Sequence, residues 1–179
     1  MEIAPEILEG CRKNDRAAQE ELYRSIYPHM MRVALRYVIN TFDAEDVLNK
    51  SMLKALKKID TFHGTSENFV GWVKRIVVHE SIDFIRSRKS FNEKHVTMAT
   101  LPDEDSTRNL IEDDPSHILK LIDTLPPQEK AVFNLSIIEG YSHKEISKLL
   151  SISVANSKWH LHCARKKMKN WIIEKELTC

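Results

Sequence analysis

Apolar residues recur every three to four positions through most of the chain, which is the period of a helix. Over LYRSIYPHMMRVALRYVI the spacing holds on both sides of Pro28. DAEDVLNKSMLKALKKI then places Val47, Leu48, Met52, Ala55, Leu56 and Ile59 on one stripe. Asp43, Glu45 and Asp46 crowd its first turn, where the helix dipole favours anions. A loop containing Gly64, TFHGTSEN, leads into a further helix, FVGWVKRIVVHESIDFIRSRK. At about 100° per residue, Val73, Val77, Ser81 and Phe84 share one arc of it, and Arg75, His79 and Arg86 share another.

The period lapses over SFNEKHVTMATLPDEDSTRNLIEDDPSH, which is polar and carries two prolines. This reads as a tether over 90–115, dividing the chain into modules 1–89 and 116–179. Periodicity returns in LPPQEKAVFNLSIIEG, where the prolines suit a helix start and Gly140 a stop. Ser142 and Glu145 have capping-box spacing, predicting a short helix over 143–150. Ser151-Ile152-Ser153 makes a tight turn in which Ser153 caps a longer basic helix. This order is helix-turn-helix, with Ser151 in place of the usual glycine. The predicted fold class is all-α: two small helical modules on a flexible acidic linker.

Composition narrows the choice of function. Four glycines and six prolines in 179 residues leave little room for a hairpin-rich β fold. No run approaches the ~18–20 apolar residues of a membrane span, and MEIAPEILEGCRK does not have the form of a signal peptide. Cys11, Cys163 and Cys179 are odd in number and far apart, which suits reduced thiols in a cytoplasm. His160, His162 and Cys163 fan out around a helix, so no metal is expected there. No glycine-rich phosphate loop or nucleophile motif appears, so no enzyme activity and no cofactor are expected.

Net charge is +1, but it is unevenly spread. Residues 1–88 are near neutral, 89–117 hold three basic against seven acidic residues, and 118–179 hold ten against six. In the last helix Ser157, Leu161, Ala164 and Met168 share the face that must pack. Lys158, His162, Arg165, Lys166 and Lys169 lie opposite, with Trp159 at their edge. Such a helix can present its early residues to base edges and its cations to phosphates. The lysines also fit a plain solvated face, and Trp159 also fits packing against the first module or a partner. The Arg75/His79/Arg86 stripe likewise suits nucleic acid or solvent.

The chain resembles a small bacterial RNA polymerase sigma factor of the extracytoplasmic-function (ECF) group of the sigma-70 family, whose members keep only regions 2 and 4. Region 2 is matched through DAEDVLNKSMLKAL and FVGWVKRIVVHESIDFIRSR, and region 4 from LPPQEKAVFNLSIIEGYSHKEISKLLSIS into KWHLHCARKKM. The resemblance implies a cytoplasmic specificity subunit that binds core polymerase, is steered to promoter DNA and helps melt it. It assigns Asp43, Glu45, Asp46, Asn49 and Leu53 to the clamp helices of the largest subunit, with Asn49 where glutamine is usual. Reading and melting of the −10 element fall to Phe62, His63, Gly64, Asn68, Arg75, His79 and Arg86, with His79 where asparagine is frequent. The −35 element falls to Asn156, Lys158, Trp159, His160, His162, Arg165 and Lys166, in a helix that departs from the frequent Thr-Val-Lys-Ser-Arg. The flap of the second-largest subunit and an anti-sigma factor are further implied partners, and no small-molecule ligand is. The acidic linker resembles the segment that threads the RNA channel.

From the residues alone, two other readings remain. One is a stand-alone helix-turn-helix regulator that needs no polymerase. The other is an adaptor that binds polymerase or sigma partners but not DNA. DAED and the Arg75 stripe weigh against the first, and the basic last helix weighs against the second.

Overall fold

Among the residues described by the computed structural model, 3–38, 40–94 and 121–176, all regular structure is helical. The chain divides into two compact units, Met1–His95 and Val96–Cys179. Most of the expected linker, from residue 95 onward, lies outside the described residues.

The first unit opens with a helix absent from the sequence-based expectation, α1 (Pro5–Arg12). Pro5 stands at its start, where the missing N–H costs nothing, and Leu8 and Cys11 are buried. Asn14 turns the chain in a left-handed conformation, φ 58°, and Asp15 caps α2 (Arg16–Leu35) by accepting from the N–H of Ala17 at 2.8 Å. The two helices approach closely at Gly10, where a Cβ would stand 2.6 Å from that of Ala18. Pro28 sits on the exposed side of α2, as does Arg24, whose carbonyl its ring leaves without a helical donor.

α3 (Thr41–Lys57) buries Val47, Leu48, Met52 and Ala55, as its stripe predicts, while Leu56 is only half-buried. A 3-10 turn (Ile59–Thr61) ends it and delivers the loop to α4 (Ser66–Lys94). Val73, Val77 and Ser81 are buried as expected, together with Phe69, Val78 and Ile82, while Phe84 is half-buried. α4 begins before Phe69 and stays helical to Lys94, five residues past the expected end. Each large apolar side chain fully buried among α2, α3 and α4 is worth about 1.5–3 kcal/mol.

The second unit holds α5 (Pro127–Phe133), a π-helical turn (Asn134–Ile138), α6 (His143–Leu150) and α7 (Val154–Glu176). The charges in the LPPQEK motif prove structural. Lys130 pairs with Asp123 at 2.8 Å, and buried Glu129 accepts from Lys167 of α7 at 3.0 Å. The capping box forms, with Ser142 N–H donating to Glu145 at 2.8 Å. Ser151 takes the left-handed conformation, φ 53° and ψ 45°, at a position where glycine would be unstrained. The N–H of Asn156 then donates to Ser153 Oγ at 3.0 Å, which starts α7. His143 Nδ1 and Ser157 Oγ, 2.9 Å apart, pin α6 to α7 at that start.

Candidate functional site

On α3 the buried stripe leaves an opposite face that carries apolar residues. Phe42, Asp46, Asn49 and Leu53 fall within an arc of about 60°. Phe42 is 84% exposed and Leu53 59%, with the exposed polar residues Asp46 and Asn49 between them. Asn49 accepts from the hydroxyl of Tyr23 at 2.8 Å, and Asp46 pairs with Lys50 at 2.6 Å. Phe42 was not anticipated from the sequence. Its signal was there, since it is apolar yet out of phase with the buried stripe and in phase with Asp46.

Asp43 has partners within the first unit. Asn40 caps α3 by accepting from the Asp43 N–H at 2.8 Å, and its amide donates to the Asp43 carboxylate at 2.6 Å. Arg88 from the far part of α4 approaches the same carboxylate at 2.8 Å. Asp43 is thus committed inside the unit, because a capping position and a crossing helix both claim its charge. Glu45 is half-buried and accepts from the Tyr27 hydroxyl at 3.3 Å. Asp46, Asn49 and Leu53 are the exposed members of the expected set.

The loop after α3 is built on Phe62, whose ring is buried. It packs at 5.2 Å from Phe69 and 5.3 Å from Trp72, and these two rings are 5.5 Å apart. His63, Gly64 and Asn68 form the exposed rim above this cluster. Asn68 donates from its backbone and its side-chain amide to Thr65, at 2.9 and 3.2 Å. Along α4, Arg75 and Arg86 are exposed and His79 is half-buried. Arg86 lies 3.5 Å from Asp83. Burial holds the His79 imidazole below its ordinary pKa; Arg75 and Lys54 push the same way, while Asp83 and Glu80 oppose them. Lys54 of α3 is ion-paired with Glu80, tying α3 to α4 beside this stripe.

In the second unit α7 separates its faces as its sequence predicts. Ser157, Leu161 and Ala164 are buried and Met168 half-buried. Asn156, Lys158, His162, Arg165 and Lys166 are exposed, and so is Trp159 at 58%. The indole is therefore presented outward, with the half-buried His160 ring edge-on to it at 4.9 Å. A cationic, aromatic helix face held by a rigid turn can lie along a nucleic-acid groove. Among the described residues there is no group of three or more potential metal ligands, and no helix long and apolar enough to cross a membrane.

Family models agree with the division into two units. That for sigma-70 region 2 matches residues 22–91, and that for sigma-70 region 4 matches residues 117–168. The chain is 28% identical to ECF RNA polymerase sigma factor SigE of Mycolicibacterium smegmatis, over 86% of this chain and 61% of that one. It thus spans less than two thirds of that relative. It is 27% identical to RNA polymerase sigma factor CarQ of Myxococcus xanthus, over 95% of this chain and 98% of that one. In fold it is similar to the sigma factor RpoE of Bartonella quintana, solved in complex with the anti-sigma factor NepR. The TM-score is 0.52 at 17% identity, covering 86% of this chain and 95% of that one.

Proposed function

The chain belongs to the sigma-70 family, in its extracytoplasmic-function group, and from that premise we propose that it binds core RNA polymerase, brings it to a promoter and helps to open the DNA there. The observation that carries this is the pairing of an outward aromatic and acidic face on the first unit with an outward cationic and aromatic face on the second. A stand-alone DNA reader has no use for the first of these.

In this reading Phe42, Asp46, Asn49 and Leu53 dock on the clamp helices of the largest subunit. The apolar ends of the row supply buried area, and the polar centre fixes register. The His63–Asn68 rim takes an unstacked base of the −10 element, while Arg75, His79 and Arg86 track the strand. Asn156, Lys158, Trp159, His162, Arg165 and Lys166 meet the −35 duplex, with His160 supporting the indole. The second unit also reaches the flap of the second-largest subunit. The phosphodiester chemistry belongs to the core enzyme, and the chain acts in the cytoplasm, where core and DNA are. An anti-sigma factor that covered the α3 row would silence it by competing with polymerase.

The test is binding of the purified chain to bacterial core polymerase, with Asp46→Lys as the control. Tight binding that the substitution weakens supports the reading. Equal binding by both proteins removes the α3 row from the interface, and no binding by either sinks the reading.

A further inference from the structure

α1 belongs to none of the three surfaces, yet it reaches one of them. Its last residue, Arg12, donates from Nη2 to the backbone carbonyl of Phe62 at 3.2 Å, across 50 positions of sequence. That carbonyl begins the peptide plane joining Phe62 to His63. Since a peptide is planar, fixing its oxygen fixes the direction in which His63 leaves the core. Charged donors make the stronger class of such bonds.

The rest of the loop is braced from other sides. The Phe62 ring is held by Phe69 and Trp72. Gly64 folds back over that ring, so that a Cβ there would stand 2.7 and 2.8 Å from two of its carbons. Asn68 closes the far end on Thr65. Of these braces, only Arg12 comes from outside the segment between α3 and the first turns of α4. The side chain of Arg12 is 35% exposed, and α1 is anchored independently by Leu8, Cys11 and the approach at Gly10. Removing the guanidinium therefore loosens the Phe62–His63 peptide without unpacking the helix.

We infer that Arg12 is a positioning residue that aims the His63–Asn68 rim at the unstacked −10 base and so sharpens base selection by the first unit. The inference rests on the role proposed above for that loop. The guanidinium does not touch the base; it acts through the peptide that carries His63.

The experiment uses holoenzyme assembled with the full chain and fork-junction DNA whose single-stranded −10 segment is randomised. Wild-type holoenzyme enriches particular bases at one or two positions of that segment. With Arg12→Ala the enrichment falls by up to roughly tenfold, since the effect on positioning is bounded by the energy of one charge-assisted hydrogen bond. Affinity for core polymerase and for −35 duplex stays unchanged, and Arg12→Lys recovers part of the loss. Enrichment retained in Arg12→Ala overturns the inference while leaving the loop's role intact. A parallel loss of enrichment, core affinity and melting temperature also overturns it, because that is the mark of a general structural role. Absence of enrichment by the wild type overturns the role of the loop itself, and the inference with it.

Discussion

Arg88 Nη2 stands 2.8 Å from Asp43 Oδ2, joining the distal part of α4 to the first turn of α3 across 45 positions of sequence. The guanidinium also lies 4.8 Å above the centre of the Phe84 ring, so it is held on two sides. Asp43 is only 18% exposed, whereas Asp46, one turn on, is 54% exposed. Two carboxylates of the same acidic turn therefore differ in task. Asp43→Ala removes the acceptor of both Asn40 and Arg88 and should destabilise the first unit by about 1–2 kcal/mol. Asp46→Ala loses a surface pair and should cost less than about 0.5 kcal/mol. Urea unfolding with amide exchange across α3 reads both, and the order should reverse when core polymerase binding is measured.

Phe42 separates binding from folding in the opposite way. A phenyl ring 84% in water contributes almost nothing to the free chain, so Phe42→Ala should leave its unfolding within about 0.5 kcal/mol. Buried at an interface, the same ring is worth about 1.5–3 kcal/mol. Core affinity should accordingly fall by about tenfold to a hundredfold. Unchanged affinity in a competition assay would remove Phe42 from the docking surface.

The sequence made the helices of the core legible because buried stripes at 3.6-residue period need only counting. The capping box at Ser142 and the serine cap at Ser153 were equally plain, since each is a local bond between close neighbours. What escaped were relationships between distant residues. Nothing near Asp43 announces that Arg88 will claim it, and nothing near Phe62 announces Phe69 and Trp72 as its cage. α1 escaped because eight residues give too few turns for a periodic signal. Glu129 stands in the first turn of α5 and Lys130 follows it, yet both are buried and paired with Lys167 and Asp123. On α7 the exposed face was legible in full, because the small residues Ser157 and Ala164 mark the face that packs.

His79 makes the first unit sensitive to acid. Its folded pKa is lowered, by burial first, so the folded state prefers the neutral ring. The stability gained from that preference is complete above the ordinary value of 6.5 and is lost as pH falls through the lowered folded value. Stability of the first unit should therefore decline on acidification from neutral pH, by at most about 1.4 kcal/mol per pH unit for this group. His79→Gln should flatten the decline. It should not abolish it, because His29, although exposed, is shifted in the same direction by partial desolvation and by nearby Lys74, Arg32 and Arg36. Urea midpoints between neutral and mildly acidic pH for the parent and His79→Gln check this, and parallel curves would refute it.

Lys158 and Trp159 are sequence neighbours, both exposed, and salt distinguishes their roles. A lysine on a phosphate releases a counterion, so Lys158→Ala should weaken duplex binding at every −35 sequence alike. It should also reduce the slope of log affinity against log salt by about 0.9. The indole carries no charge and releases none, so Trp159→Ala should leave that slope unaltered. Its loss should appear as altered discrimination among −35 sequences, since a ring at a base edge or thymine methyl reads sequence and not backbone. Stability should hardly change, because the ring is 58% exposed and stands edge-on to the adjacent His160 at 4.9 Å. Holoenzyme titrations over a salt series, against a set of −35 variants, measure slope and preference together. A Trp159→Ala protein with unchanged preference and a lowered melting temperature would return the indole to a packing role, leaving Lys158, His162 and Arg165 to account for the −35 contact.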